Sequence, residues 1–496
     1  MRAPAKKKAR RIAPPCISAR LSAHIALQAD ADGSIVACFD DYSVGLGTFS
    51  PGVVDRMHQL RAGLALASFT AGRAVDKEIG LLVHRLAQRG LLEFGLGRAD
   101  RDQVVIEPQV PDYWPQTPKL GNQDVIALSR FAYLRRRGNE MVLESPRAGA
   151  LFRICDPKIA TALALLSTPQ KVAAFWRQPG FPGIELLALL VDCQILFRVD
   201  ANGDGLRASE GDDDLVLWDF HDLLFHTRST EGRQANPLGG LYPYAGLIPP
   251  PPAVRPRWPG KKIDLRKVSA TSSEAPSPFT RLLHERHSTR DFDDTRPITL
   301  AELARFLDSA ARIQAKWKDK ADLGNGGPDV SYAARPYPSG GGAYELELYL
   351  AVGNCEGLAR GFYHYDADQH ALVPIGVKTP ELEAQLAAAE FAMGAPAAPQ
   401  ILITIAARFG RVSWKYSSVA YSLILKDAGV LLQTLYMMAT DMGLGGCAIG
   451  TNNIDLFAKM TGLEFHVEGP VGQFALGRGS KPGSADEPPP AQGSLD

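Results

Sequence analysis

The sequence predicts an α+β protein of several domains, and three observations support this prediction. A chain of 496 residues is longer than one compact core usually supports. Helix-like and strand-like segments follow each other without strict βαβ alternation. Residues 248–260 (IPPPPAVRPRWPG) cannot continue a helix or an inner strand, because proline lacks an amide donor and fixes φ. We therefore expect smaller modules, then a proline-rich linker over residues 248–278, then a larger domain over residues 279–478.

The composition argues against several classes of protein. Hydrophobic residues make up 45% of the chain and charged residues 22%, as in ordinary globular proteins. Lys plus Arg equals Asp plus Glu at 54 each, so the global positive charge typical of nucleic-acid or membrane-surface binding is absent. The six cysteines include no CxxC pair, which argues against a zinc site or a disulfide framework and favours a cytoplasmic location. We expect no metal, no nucleic acid and no membrane partner.

The chain ends differ from the rest in composition. Residues 1–14 are basic and contain no acidic residue, and residues 479–496 are rich in Pro, Gly and Ser. Such segments cannot bury enough apolar surface to fold, so both are expected to be disordered tails.

The segment before the linker predicts two winged-helix-like modules, because helices are followed by short strand pairs. The first module covers residues 15–120, with a helix over 75–89 and strands over 91–94 and 103–106. The second covers residues 121–247, with helices near 157–166, 169–176 and 182–192, a strand over 194–199 and a connecting helix. The helices are not notably basic, so peptide binding is favoured over DNA binding. Modules that only pack, without a ligand, are an equal alternative.

The larger domain has clear helix and strand signals. Thr299-Leu300-Ala301-Glu302 has the form of a capping box and predicts a helix start. The remaining predicted elements are a strand over 344–350, a hairpin over 363–373, a helix from Thr379, a strand over 400–406 and a long helix over 420–442 that ends at Gly443.

Three segments of this domain have residues suited to an anionic, planar ligand. The basic segment, Arg286-His287-Ser288-Thr289-Arg290, concentrates donors for a phosphate and a polyol. The glycine loop, Pro338-Ser339-Gly340-Gly341-Gly342, lets the backbone approach a flat ring closely. The second glycine segment, residues 443–450 (GLGGCAIG), follows a helix but has neither GxGxxG nor Walker A spacing. Each segment alone is a weak signal.

In this order, the three segments resemble the flavin-binding set of the nitroreductase superfamily. Together with Trp414-Lys415-Tyr416, KDAG at 426–429 and FALGR at 474–478, they resemble the SagB-type peptide dehydrogenases, the azoline oxidases of thiazole/oxazole-modified peptide pathways. The resemblance covers residues 280–478 closely and residues 218–242 more loosely. Small-molecule nitroreductases have an asparagine after the Pro-Ser pair, whereas this chain has glycines, which favours the peptide-oxidising subgroup.

The resemblance implies a nitroreductase-like domain that binds FMN at a homodimer interface. It implies that the phosphate and ribityl chain contact Arg286, His287, Ser288, Arg290 and Arg478; that Pro338, Ser339 and Gly340 approach the edge of the flavin ring; and that the backbone of Ile449 and Gly450 lies near it. Lys415 and Tyr416 match the Lys-Tyr pair to which activity is attributed in this subgroup.

Oxidation of an azoline removes one ring hydrogen as a proton and the other as hydride, so a base is needed. We expect Tyr416 to accept the proton and Lys415 to tune it by its charge, although the two roles could be exchanged. Adjacent strand residues point to opposite faces, so both can serve one site only if this segment is not a strand.

The sequence therefore predicts an FMN-dependent dehydrogenase that oxidises thiazoline or oxazoline rings in a ribosomally made peptide. The expected partners are the azoline peptide, cyclodehydratase subunits and a second copy of the chain. Two alternatives stay open: a nicotinamide-dependent nitro or quinone reductase, and a flavin-free scaffold of a peptide-modifying complex.

Four further features are expected to have other roles. Asp427 is expected to be a buried structural group or a dimer contact, and Cys447 a packing residue. His221 and His226 could face a substrate entrance. The acidic run from Glu210 to Asp214 is expected to be a solvated loop.

Overall fold

The computed structural model describes residues 15–480 apart from residues 40–41, 71, 99–100, 176–177, 179–180, 200–209, 211–212, 234–239, 241, 270–274, 322 and 324–325. The chain forms two compact units, and the statements below concern their described residues. The first comprises Met1–Arg228 and Gly232–Asn236, and the second comprises Ser229–Glu231 and Pro237–Asp496. No helix among these described residues is long and apolar enough to cross a membrane.

The first unit is mixed α and β. Its strands are β1 (Cys16–Leu21), β2 (Ala26–Ala29), β3 (Ser34–Phe39), β4 (Tyr42–Thr48), β5 (Leu64–Ala65), β6 (Leu92–Arg98), β7 (Arg101–Pro108), β8 (Val125–Leu128), β9 (Tyr133–Arg137), β10 (Glu140–Glu144), β11 (Ala150–Ile154), β12 (Gln170–Lys171) and β13 (Leu196–Arg198). Its helices are α1 (Pro51–Arg56), α2 (Ala74–Ala87), α3 (Pro157–Ala164), α4 (Val172–Phe175), α5 (Ile184–Asp192), α6 (Asp213–Val216) and α7 (Phe220–Arg228), with 3₁₀ turns at Met57–Arg61, Leu66–Thr70 and Leu165–Ser167.

One seven-stranded sheet dominates this unit, in the order β5-β1-β6-β7-β11-β10-β9. Its strands come from both sides of residue 120, where the sequence predicted a boundary between two modules. β7 pairs with β11 through Phe152 and Ile106, among others, and this pairing crosses the predicted boundary. The winged-helix prediction is therefore not confirmed. The helix predicted over 169–176 is the two-residue strand β12 followed by the single turn α4.

The second unit contains the larger predicted domain. Its strands are β14 (Ile298–Thr299), β15 (Ala315–Lys320), β16 (Asp329–Ala334), β17 (Leu346–Val352), β18 (Cys355–Glu356), β19 (Gly361–Asp366), β20 (Ala371–Ile375), β21 (Ile401–Arg408), β22 (Gly445–Ile449) and β23 (Glu468–Gly477). Its helices are α8 (Leu265–Ser269), α9 (Pro278–Glu285), α10 (Leu300–Ala311), α11 (Thr379–Met393), α12 (Phe409–Ser413), α13 (Ala420–Asp441) and α14 (Ile454–Thr461), with a 3₁₀ turn at Gly340–Gly342.

A six-stranded sheet in the order β20-β19-β17-β21-β23-β22 forms the centre of this unit, and its neighbouring strands are antiparallel. On one face, Tyr349 and Leu402 belong to the same apolar cluster as Leu386 of α11 and Phe457 of α14. The long helix α13 packs against β22 and β23. The α+β class and the C-terminal domain predicted from the sequence are confirmed.

Local sequence signals explain where the helices of this unit begin and end. The Thr299 hydroxyl accepts from the Glu302 N–H at 3.2 Å and the Glu302 carboxylate accepts from the Thr299 N–H at 2.9 Å, which confirms the capping box. α13 ends just before Gly443, because the φ of this residue is +66° and a right-handed helix cannot continue through it. Gly479, which the sequence assigns to a disordered tail, pairs with Phe292 in the structure. Residues 1–14 and 481–496 lie outside the described residues.

Candidate functional site

The glycine loop is held against α13 by hydrogen bonds to one buried carboxylate. Asp427 Oδ2 accepts from the Gly340 N–H at 2.7 Å and from the Ser339 hydroxyl at 2.9 Å. The Ser339 hydroxyl oxygen in turn accepts from the Tyr344 N–H at 2.9 Å. Asp427 is 6% exposed, which confirms the expectation of a buried, hydrogen-bonded group. Its contacts fix the loop where the chain enters β17.

Lys415 and Tyr416 meet the glycine loop at Gly341. The Lys415 ammonium donates to the Gly341 carbonyl at 3.3 Å, and it lies 5.4 Å from the centre of the Tyr416 ring. A Cβ on Gly341 would overlap the Tyr416 hydroxyl and lie 3.0 Å from Lys415 Nζ. The φ of Gly341 is +62°, a left-handed conformation that glycine adopts without strain. The backbone conformation therefore favours glycine here, and a Cβ would displace the ends of the Tyr416 and Lys415 side chains.

The Lys-Tyr pair lies in a turn and not in a strand. Both residues follow α12, and the N–H groups of Lys415 and Tyr416 both point back to the Val412 carbonyl, at 3.0 and 2.9 Å. Because this segment is a turn and not a strand, the two adjacent side chains can both serve one site. Lys415 is exposed and Tyr416 is half-buried, so a ligand above the loop could reach both side chains.

The basic segment and the second glycine segment are directly joined. The Thr289 N–H donates to the Gly446 carbonyl at 2.9 Å. The hydroxyl of Tyr436, on α13, forms a hydrogen bond with the Ser288 hydroxyl at 2.8 Å and accepts from the Ala448 N–H at 2.8 Å. Tyr436 thus links the two segments from beneath. The sequence analysis missed this residue, since a tyrosine on an apolar helix gives no signal of its own.

One helix therefore contacts all three predicted segments. Asp427 holds the glycine loop, and Tyr436 holds the other two segments nine residues further along α13. At 1.5 Å rise per residue, the two points of attachment are roughly 13 Å apart along the helix axis. Nine residues are two and a half turns, so Asp427 and Tyr436 lie on opposite sides of α13, and the predicted segments meet this helix on different faces.

The cationic side chains of the site differ in what they contact. Arg286 lies over the Tyr436 ring at 5.1 Å, and Arg290 is exposed. Neither forms an ion pair with a carboxylate of the described chain, so both fit a phosphate group. Arg478 instead binds both oxygens of Glu302, at 2.7 and 2.8 Å. Its guanidinium is engaged in this structure.

The Glu302 carboxylate has two kinds of partner. Burial acts to raise its pKa, but the Thr299 N–H and the Arg478 guanidinium outweigh burial and hold the pKa of Glu302 below its usual range. Arg478 also donates its backbone N–H to Gln400 Oε1 at 3.0 Å. Gln400 is fully buried and was not singled out from the sequence. A third contact is the Asp293 N–H, which donates to the Arg478 carbonyl at 2.9 Å. Together these contacts fix the end of β23 near the basic segment.

The remaining predicted site residues take different positions. His287 Nδ1 lies 2.9 Å from the Glu285 carbonyl, and its side chain is exposed. Pro338 and Gly450 are exposed. Ile449 contributes its side chain to the apolar cluster on the α11 and α14 side of the sheet, so only its backbone is available to a ligand.

Three other expectations can be compared with the structure. Cys447 belongs to the same apolar cluster, as expected of a packing residue. His226 is fully buried and His221 is largely exposed, so the two histidines of α7 do not share one environment. Glu210 is buried and accepts from the Arg130 N–H at 2.9 Å, so the prediction of a solvated loop is wrong at this residue.

Comparison with known proteins identifies the domain that carries these segments. Residues 283–478 match the nitroreductase family, and residues 126–235 match the cyanobactin oxidase ThcOx. The C-terminal domain belongs to the nitroreductase family. The two matches confirm the resemblance to SagB-type dehydrogenases of the nitroreductase superfamily. The ThcOx match begins well before residue 218, so the sequence analysis underestimated how far the resemblance extends.

Individual proteins and solved structures are similar to parts of this chain. A protein of Methanocaldococcus jannaschii that is named a nitroreductase is 28% identical over 169 residues, which are 34% of this chain and 76% of that protein. The E. coli microcin synthetase McbBCD complex with truncated pro-MccB17 bound has a chain that is 20% identical, with a TM-score of 0.38, over 54% of this chain and 96% of that chain. A nitroreductase from Desulfovibrio desulfuricans in complex with FMN is 15% identical, with a TM-score of 0.27, over 45% and 98%.

Proposed function

We propose that this protein is an FMN-dependent dehydrogenase that oxidises thiazoline or oxazoline rings in a ribosomally made peptide to thiazole or oxazole. The observation that carries the proposal is the contact of Lys415 and Tyr416 with Gly341. Gly341 belongs to the glycine loop, which is one of the segments that resemble the nitroreductase superfamily. The match to a cyanobactin oxidase over residues 126–235 supports a peptide as the substrate.

The basic segment fits the FMN phosphate best among the described cations. Arg286 and Arg290 are free of carboxylate partners within the described residues, and Ser288 and His287 add polar groups next to them. Arg478 would contact the phosphate only by leaving Glu302, so we propose it as a weaker contact. Pro338, Ser339 and Gly340 would lie at the ring edge, with the backbone of Ile449 and Gly450 near the ring.

When bound, FMN would accept the hydride that the azoline ring loses. The protein must remove the other hydrogen as a proton, and Tyr416 is the acceptor in our proposal. Lys415 places its positive charge beside Tyr416 and anchors on the Gly341 carbonyl, so it stabilises the negatively charged phenolate oxygen that takes up the proton. One proton and one hydride leave for each ring, and the product ring is aromatic.

The partners follow from the same proposal. A cyclodehydratase must first form the azoline ring, and we propose its subunits as partners, with the first unit of this chain holding the peptide or docking that enzyme. We further propose a homodimer through the nitroreductase-family domain and a cytoplasmic location.

Mass spectrometry of a cyclised peptide before and after exposure to the protein tests the reaction. Each oxidised ring lowers the peptide mass by about two units, because one proton and one hydride are lost. We expect Lys415→Ala and Tyr416→Ala to keep the yellow colour of bound flavin and to leave the azolines unoxidised. Full aromatisation by both variants would refute the roles assigned to this pair.

Two outcomes would favour other functions. Rapid bleaching of the flavin by a reduced nicotinamide, without turnover of azoline peptides, would favour a nitro or quinone reductase. The similarity to the Methanocaldococcus jannaschii nitroreductase makes this the second candidate. A colourless protein that still binds its partners would favour a scaffold.

A further inference from the structure

Beneath the glycine loop lie two buried carboxyl groups that the proposed reaction does not use. Glu345 is 0% exposed and Asp427 is 6% exposed. Glu345 lies between the loop and β17, whereas Asp427 comes from α13. Two ionised carboxylates in one buried place repel each other and lose their hydration, so such a pair retains a proton.

The contacts indicate which member of the pair carries the proton. Asp427 Oδ2 accepts two hydrogen bonds, from Gly340 and Ser339, which stabilise negative charge on this oxygen. Glu345 Oε2 lies 3.3 Å from the Ser339 hydroxyl, and Glu345 Oε1 is buried without a hydrogen-bond partner among the described residues. Burial first, and then the Asp427 charge, raise the pKa of Glu345. Glu345 is thus the neutral member.

The other two groups that face Glu345 give its carboxyl group no hydrogen bond within the described residues. Arg411 of α12 interacts with it electrostatically, but its guanidinium donates to the Ala343 carbonyl at 2.8 Å and to the Ser331 carbonyl at 2.5 Å. The Tyr337 side chain also lies near and is almost fully buried. Ionised Glu345 would therefore repel Asp427 directly.

We propose that protonated Glu345 is a positioning residue, which keeps Asp427 in place and so fixes the glycine loop against Lys415 and Tyr416. Gly340 is bound to Asp427, and the next residue, Gly341, receives the Lys415 ammonium. A shift of Asp427 would be passed to Gly341 through a single peptide unit. The activity part of this inference rests on the proposed function, whereas its stability part does not.

The pH dependence of turnover tests the positioning role. Above the pKa of Glu345, kcat of the wild-type protein on an azoline peptide should fall by up to about tenfold per pH unit. Glu345→Gln keeps a neutral side chain of the same shape, so its kcat should persist at that pH. Glu345→Ala should have a low kcat at every pH, with KM little changed. Superimposable pH profiles for the wild-type protein and Glu345→Gln would overturn the inference.

Thermal unfolding provides a second test that needs neither substrate nor FMN. A carboxyl whose pKa is raised in the folded state stabilises the fold at acidic pH, and this contribution is lost as the pH rises through the folded pKa. The melting temperature of Glu345→Gln should therefore rise relative to the wild-type protein from about pH 5 to about pH 8. Glu383→Gln, at an exposed carboxylate of α11 that lies 3.9 Å from Arg360, is the control and should show no such trend.

The two tests separate the inference from the proposed function. Melting curves of the wild-type protein and Glu345→Gln that shift in parallel with pH would overturn the inference even if azolines are oxidised. Diverging curves without azoline oxidation would support a proton on Glu345 and contradict the proposed function.

Discussion

Gly341 is the residue at which the glycine loop and the Lys-Tyr pair depend on each other. An alanine there adds a Cβ that overlaps the Tyr416 hydroxyl, in addition to about 1–2 kcal/mol for the left-handed conformation. We expect Gly341→Ala to displace Tyr416 and lower kcat at least tenfold, while absorbance near the flavin maximum shows that the cofactor stays bound.

The neighbouring Gly342 offers a matched control for this prediction. Its φ is +67°, so an alanine meets the same backbone strain, but the nearest atom to its Cβ is a Tyr332 ring carbon at 4.0 Å. Gly342→Ala should lose stability without the same loss of turnover. Equal kinetic effects in the two variants would mean that strain, and not contact with Tyr416, explains the result.

The sequence indicates candidate residues of the site but not their pairings. Lys415 and Tyr416 match a motif, and they can serve one site together only outside a strand, as in the observed turn. The ion pair between Arg478 and Glu302 joins residues 176 positions apart, which no local pattern encodes. Glu345 follows the alternating pattern that is typical of a half-exposed strand, yet it precedes β17 and is buried. Burial depends on which distant segments pack against a residue, and a local sequence pattern does not show this tertiary packing.

At the level of elements, α13 contacts all three segments predicted to bind the ligand, and Tyr436 is its contact with two of them. Tyr436→Phe removes the hydroxyl that the Ala448 N–H and Ser288 use. An unpaired, partly buried donor costs about 1–3 kcal/mol. We therefore expect a lower melting temperature and FMN affinity at least fivefold weaker by fluorescence titration, with Lys415 and Tyr416 undisturbed.

Tyr363→Phe is a suitable comparison for the Tyr436 variant. Its hydroxyl donates to the Ala359 carbonyl at 2.8 Å, in the hairpin formed by β19 and β20. This bond is equally short but belongs to no predicted ligand contact. FMN affinity that falls as much in Tyr363→Phe as in Tyr436→Phe would contradict the linking role of Tyr436.

Elements with strong local signals were predicted well, and elements that depend on partners were not. The capping box at Thr299 and the glycine after α13 act within one turn of the chain, so α10 and α13 were expected near their observed bounds. The strand predicted from Tyr344 begins only at Leu346, because Ser339 and Asp427 hold the preceding residues in the loop. The helix predicted over 169–176 was wrong because β12 pairs with β8.

For the whole molecule, local periodicity could not predict that the segment before the linker forms one unit and not two modules. The predicted pair of modules rested on helices followed by short strands. In the structure, β1 pairs with β6 and β7 pairs with β11, which joins distant segments into one sheet. Such pairings between distant strands leave no trace in a window of ten or fifteen residues. The linker prediction rested on proline chemistry, and residues 248–264 contain no helix or strand. However, α8 lies within the predicted linker of residues 248–278, and the two units divide between residues 228 and 237.

Hydrogen exchange can assign the two proposed ligands to the two units. FMN should increase amide protection in the second unit, over the basic segment, α13 and β22, because binding stabilises the segments that hold the ligand. The azoline peptide, added to the FMN-bound protein, should increase protection in the first unit if that unit holds the peptide. Lys415→Ala keeps both ligands in our proposal and should give the same pattern without turnover. If the peptide increases protection only in the second unit, the first unit does not hold the peptide. Docking of the cyclodehydratase would then be the remaining proposed role of the first unit.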